Sequence, residues 1–285
     1  MLIEAFFDKT TYALTYVVYD RATRDAVVID PVLDFDVRRW AVTTHSAEEV
    51  QRFARGKSLN VHWVLDTHAH ADHLSGMDVL KQAFGAPTAI GAGITKVQQA
   101  FAPIFDMDVP ADGSQWDALL ADGQTLEAGS LKLQALHTPG HTPACLTYSI
   151  GDALFTGDAL FMPDYGTGRT DFPGGSPEDL YDSITTKLYT RPDATRIFVG
   201  HDYQPGGREL QFETTVGASK EQNIGLRANT SRSDFVTARR NRDAKLSPPN
   251  LILQSLQVNI EAGRLPEPAG NGRSYLKMPL GIFDS

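Results

Sequence analysis

Cysteine is almost missing from the sequence: Cys145 is the only one in 285 residues. A single thiol cannot close an intrachain disulfide or build a cysteine-rich zinc or iron–sulfur site. Long apolar runs are missing too. No stretch approaches the ~18 apolar residues of a membrane span, and Glu4, Asp8 and Lys9 break up any leader pattern at the start. The expectation is an unexported, cytoplasmic protein without a membrane partner. Positive charge is in deficit: 26 Lys and Arg against 35 Asp and Glu leave a net −9, which disfavours nucleic acid as the main partner. Internal repeats and low-complexity segments are absent. What is present is enough chain to hide roughly 75% of the unfolded surface, so a metal would serve chemistry more than stability.

Strand and helix signals alternate. YALTYVVYD (12–20) and DAVVID (25–30) are β-rich runs around the polar turn RATR and read as a hairpin. Ser46 with Glu49 three positions later has the form of a capping box for a helix over SAEEVQRFARGKSL. VHWVLD (61–66) reads as a strand and GMDVLKQAFG (76–85) as a helix stopped by Gly85. Further strands are expected at 131–137, 152–158 and 196–202, and a helix from Ser176-Pro177 to Leu188 with Ser at the N-cap. This alternation points to a layered α/β architecture. From Gln204 the composition turns polar and helical, over 231–246 and 249–260, and ends in a Gly/Pro-rich tail. The expected organisation is a catalytic unit over 1–205 and a helical extension over 206–285 packed on it.

The densest chemical signal is THAHADHLSG (67–76), which crowds His68, His70, Asp72 and His73 into one turn after a strand. Neutral imidazole suits zinc or iron and carboxylate is a hard oxygen donor, so one such turn can serve two metal positions. An ordinary polar loop is the competing reading for any one histidine, but three of the chain's eight sit here. HTPGH brings His137 and His141, TGD brings Asp158 and GHD brings His201, each after a predicted strand. His45 and His62 have no such company and read as exposed or structural.

The order H-x-H-x-D-H, His, Asp, His resembles the metallo-β-lactamase superfamily. Within it, THAHADHLSG, HTPGHTPACLTY, FTGDALF, GTGRTDFPGGS and VGHDY resemble the persulfide dioxygenases, over roughly residues 10 to 205. The longer tail resembles a bacterial subgroup, which makes the expected location a bacterial cytoplasm. The resemblance implies an αβ/βα four-layer sandwich with extra C-terminal helices. It implies one Fe(II) per chain on His68, His141 and Asp158, a two-histidine, one-carboxylate set that leaves open positions. It also implies glutathione persulfide, or a similar small persulfide, and O2 as the reactants, sulfite and thiol as products, and a homodimer. His70, Asp72, His73 and His201 are positions that hydrolytic relatives use for metal, so they also permit a dinuclear thioester hydrolase of the hydroxyacylglutathione type. A non-enzymatic metal-binding scaffold is a third class, disfavoured because all the ligand positions are intact.

Four smaller readings complete the set. Arg169 in GRTD reads as an organiser of the site or as a surface ion pair with Asp171. Tyr203 offers a phenolic hydrogen bond to bound substrate, or simply packs. Cys145 reads as a buried, unreactive thiol. An anionic substrate needs a local basic patch, for which Arg239, Arg240, Arg242 and Lys245 are candidates, although such a run more often forms a solvated helix face.

Overall fold

The hairpin around RATR forms: β2 (Leu14–Tyr19) pairs antiparallel with β3 (Asp25–Ile29), with Tyr16 opposite Ile29. Every residue of β2 is buried. Leu14, Tyr16 and Val18 face one hydrophobic cluster while Val17 and Tyr19 face another, the sign of a strand covered on both sides. The computed structural model describes residues 1–282 and builds outward from this hairpin.

β1 (Leu2–Phe7), β2, β3, β6 (Asn60–Leu65), β8 (Thr88–Gly91) and β9 (Ala118–Leu120) form one sheet in that order. Its β3, β6, β8 and β9 run parallel. The second sheet takes β10 (Thr125–Ala128), β11 (Leu131–His137), β12 (Leu146–Ile150), β13 (Ala153–Phe155), β14 (Arg196–Phe198) and β15 (Glu213–Thr215). Its last strand thus comes from beyond residue 205. A small third sheet joins β4 (Val32–Asp36) to β5 (Ala41–Thr43) and β7 (Leu74–Ser75).

One core cluster lies between the large sheets, where Tyr16, Phe155 and Phe198 meet with ring centroids 5.2 to 5.6 Å apart. The outer face of the first sheet carries α1 (His45–Gly56), α2 (Met77–Phe84) and α3 (Ile94–Phe101), whose buried Val50, Leu80 and Val97 join its cluster. α4 (Pro177–Ser183), α5 (Val216–Gln222) and α6 (Arg232–Asp243) contribute Leu180, Val216 and Phe235 to the other. α7 (Ile252–Asn259) packs on the first sheet's side through Ile252 and Leu256. This helix, sheet, sheet, helix layering is the expected four-layer sandwich.

Several predicted boundaries hold. Gly85 ends α2 in the left-handed conformation, and Ser176 caps α4 by accepting from the N–H of Asp179, with Pro177 in the first turn. The helix then widens into a π turn over Ile184–Leu188. The capping box at Ser46 does not form. α1 starts one residue earlier, and Ser46 instead donates its hydroxyl to Asp34 at 2.7 Å, tying the helix to β4. A nearby carboxylate from another element won over the local cap.

Candidate metal centre

Each chemistry-bearing loop leaves the C-terminal end of a strand: 66–73 after β6, 138–145 after β11, 156–158 after β13 and 199–203 after β14. Two glycines let these loops meet. A side chain at Gly157, which has φ +48°, would strike Thr67, and one at Gly168 would strike the carbonyl of Asp158.

Among the described residues, His68, His141 and Asp158 bring ligand atoms within 4.8 Å of one another, and all three are buried. Nε2 of His141 lies 3.6 Å, and Nε2 of His68 4.0 Å, from Oδ2 of Asp158. Hydrogen bonds on the far side of each ring set the tautomer. Thr67 donates its hydroxyl hydrogen to Asp30 at 2.9 Å, so its oxygen accepts from Nδ1 of His68 at 3.0 Å. The carbonyl of Arg169 can only accept, and takes the Nδ1 hydrogen of His141 at 2.7 Å. Both rings are left with a bare Nε2 on the Asp158 side. Burial, and then the charges of neighbouring histidines, hold the His68 pKa well below its usual value, which keeps the ring neutral and fit to ligate.

A second group of donors adjoins the first. His70, Asp72, His73 and His201 also bring ligand atoms within 4.8 Å. Asp158 is shared by the two groups, because its Oδ1 stands 3.5 Å from Nε2 of His201, which is also 3.3 Å from Asp72. Nε2 of His68, Nδ1 of His70, Oδ1 of Asp158 and both ring nitrogens of His201 are buried without a hydrogen-bond partner. Unpaired buried polar atoms are costly, and such atoms in both donor groups fit metal-ion sites. The far nitrogen of His70 is 3.2 Å from Asp30; burial works against its charge, but Asp30 outweighs it and raises the pKa to about 9. Burial together with the His70 charge lowers His73 to about 3.

The loops are held from the C-terminal helices. Asn259 of α7, 1% exposed, donates to the carbonyls of His70 (2.7 Å) and His73 (2.8 Å) and accepts from the N–H of Ser75. Asp243 of α6 accepts from both the N–H and the hydroxyl of Thr170 at 2.9 Å, and its other oxygen pairs with Arg239, which donates to the carbonyl of Thr167. That ion pair therefore braces the stretch whose Arg169 carbonyl orients His141.

Above the donors lies a cavity of about 470 Å³ lined by His141, Asp158, Tyr203, Arg169, Arg239 and Arg242, with Phe161 and Phe172 among its apolar walls. Tyr203 stacks on His201 with centroids 5.4 Å apart and on Tyr165 at 4.6 Å. Burial, reinforced by Asp72 and Asp158, raises the phenol's pKa well above its usual value, so it stays a donor. The Arg169 side chain makes a two-pronged pair with Asp171, at 2.7 and 2.6 Å, and donates to the carbonyl of Ser247. It both lines the cavity and carries the ion pair weighed from sequence.

The basic run at the end of α6 and just beyond it divides. Arg240 is exposed and pairs with Glu178, and Lys245 is exposed, as a solvated face requires. Arg239 is buried and Arg242 lies 5.2 Å from the Tyr165 ring, on the cavity wall. His137 stays apart from the donors, its Nε2 donating to the carbonyl of Pro143. His62 pairs with Asp25 at 2.7 Å and His45 is exposed. Cys145 is buried, and desolvation pushes its thiol up to about 12.

Sequence reasoning missed Asp30, Thr67, Asn259 and Asp243. Asp30 had a signal, since DAVVID ends on an acid as VHWVLD and DALFTGD do. No helix among the described residues is long and apolar enough to cross a membrane.

The metallo-beta-lactamase superfamily signature matches residues 10–201. A beta-lactamase hydrolase-like protein of Agrobacterium fabrum is 50% identical over 283 residues, 99% of this chain, and the chain spans 65% of that relative's length. Glyoxylase B2 of Dictyostelium discoideum is 39% identical, with 98% of this chain and 96% of that protein covered. The human mitochondrial persulfide dioxygenase ETHE1 is 28% identical over 92% of this chain and 89% of its own. Among solved structures, ETHE1 from Myxococcus xanthus superposes with a TM-score of 0.75 at 31% identity, covering 93% of this chain and all of that one. With its layering, its donor set and these relatives, the chain belongs to the metallo-β-lactamase superfamily, where persulfide dioxygenases stand among its relatives.

Proposed function

We propose that this metallo-β-lactamase superfamily enzyme is a persulfide dioxygenase that holds one Fe(II) on His68, His141 and Asp158 and oxidises glutathione persulfide or a similar small persulfide. The observation that carries this reading is the convergence of two imidazoles and one carboxylate beneath an open cavity. Two histidines and a carboxylate with free positions are the donor set of non-haem Fe(II) oxygenases. The resemblance of the motif strings to persulfide dioxygenases, and relatives bearing that name, support the choice of substrate.

Iron at these donors supplies the electron transfer that lets spin-paired sulfur react with triplet dioxygen. The protein does the rest. Thr67 and the Arg169 carbonyl keep Nε2 of His68 and His141 free of hydrogen. Tyr203, protonated, donates toward bound substrate, and Arg242, without a carboxylate partner among the described residues, offers positive charge to an anionic carrier. Phe161 and Phe172 limit water at the cavity wall. Overall, a persulfide RSSH, O2 and one H2O give RSH and H2SO3: the terminal sulfur is oxidised, dioxygen is reduced, and the carrier leaves as thiol.

The second donor group favours another reading. His70, Asp72, His73 and His201 with a shared Asp158 could hold a second ion, as in a hydroxyacylglutathione hydrolase, and the likeness to a protein named glyoxylase B2 points the same way. One experiment separates them. Protein prepared without air is analysed for metal and then followed with an oxygen electrode. One iron per chain and oxygen uptake with glutathione persulfide are expected; two zinc ions with thioester turnover would reverse the assignment.

A further inference from the structure

The structure contains a second cavity that the proposed chemistry does not use. It measures about 420 Å³, within the size range of small-molecule sites, and lies between α3 and α7. Phe101, Ile104, Phe105, Ile252, Leu253 and Leu256 line it from these two helices and the turn after α3. Arg169 and Asp171 are its only charged lining residues among those described, and they already pair with each other at 2.6 Å. Nothing in it calls for a polar or charged ligand.

The two cavities meet along Arg169, Phe172, Leu246 and Pro248, which line both. A ligand whose reactive end sits over His141 and Asp158 can therefore extend past Phe172 into apolar surroundings. Two helices and a loop that leave an apolar space open forgo contacts that a closed core would make, and an apolar group placed there restores them.

We infer that this compartment receives the apolar chain of the substrate's carrier, so that the enzyme accepts persulfides on unbranched alkyl thiols as well as on polar ones. The inference rests on the persulfide reading only for the position of the sulfur end. Group by group, the first cavity takes the sulfur head over His141 and Asp158, and the second takes methylenes between α3 and α7.

Straight-chain alkanesulfonates test this, being stable anions with a sulfur head and a chain of chosen length. Binding of the two- to eight-carbon members to the metal-loaded protein is measured by calorimetry. Affinity should rise roughly fourfold with each methylene that enters the compartment. Leu253→Trp, which fills the space from α7, should abolish that rise and leave ethanesulfonate affinity unchanged. Ile104→Trp, at an exposed site on the rim, provides the same test if the first variant misfolds by circular dichroism. A flat series in the parent protein, or a rise that survives both substitutions, overturns the inference. Either outcome is separate from the persulfide reading, which is decided by metal content and oxygen uptake.

Discussion

Asn259 holds His73 in place: its side-chain amide donates to the His73 carbonyl at 2.8 Å across 186 residues of sequence. The same amide reaches His70, and its oxygen takes the N–H of Ser75. The backbone of the histidine-rich turn is therefore fixed by one buried side chain of α7.

Replacing Asn259 by Ala leaves three buried backbone groups without partners. At about 1–3 kcal/mol for each group left unsatisfied, the loss is a large share of a domain's stability. Thermal unfolding should show a lower Tm and metal analysis a lower content. An unchanged Tm would mean that water replaces the amide fully.

Asp243→Asn removes the charge opposite buried Arg239 while keeping much of the shape. Breaking a buried pair typically costs about 3–5 kcal/mol, and the freed 167–170 stretch no longer holds the Arg169 carbonyl against His141. Loss of a partner that orients a ligand lowers metal affinity by roughly 10–100-fold, measurable by chelator competition.

Thr67→Val tests the tautomer argument with little change in volume. Without the hydroxyl, Nδ1 of His68 loses its acceptor, and metal affinity should again fall by about 10–100-fold. His68→Ala or His141→Ala removes a donor outright and should cost more than that. Retained metal in either alanine variant would contradict the assigned set.

Arg242→Met keeps the stem over Tyr165 and removes the charge. A charged hydrogen bond to the carrier is worth about 1.5–3 kcal/mol, so on the proposed persulfide reading KM for an anionic persulfide should rise by roughly 10- to 100-fold while kcat changes little.

Cys145 should resist alkylation in the native state and react fully in denaturant, because burial lifts its thiol from 9.0 to about 12. The folded form then keeps a proton that the unfolded form releases. Stability is unaffected below about pH 9 and declines as pH rises from there to about 12. Cys145→Ala removes that part of the alkaline slope, which denaturant titration at several pH values would show.

Much of the site was readable in the chain. His68, His70, Asp72 and His73 stand within one turn, and His141, Asp158 and His201 each follow a strand, so local pattern carried them. The contacts that orient these residues were not readable. Thr170 and Asp243 lie 73 residues apart, and nothing in either neighbourhood names the other. Ser46 failed as a cap for the same reason, since Asp34 reaches it from β4. Arg239 and Arg240 are adjacent in sequence, yet one is buried and the other exposed, a division set by the helix's rotation against α4 and the cavity.

The grip of Asn259 and Asp243 on the histidine turn and the 167–170 stretch has a consequence for biosynthesis. A ribosome delivers His68, His141 and Asp158 well before it delivers residues 243 and 259, and chains begin folding from the end that emerges first. The donor loops thus spend part of translation unbraced, and capture of an ion should follow the arrival of α6 and α7. Nascent chains stalled short of residue 243 would be expected to emerge with both sheets largely formed and no retained metal.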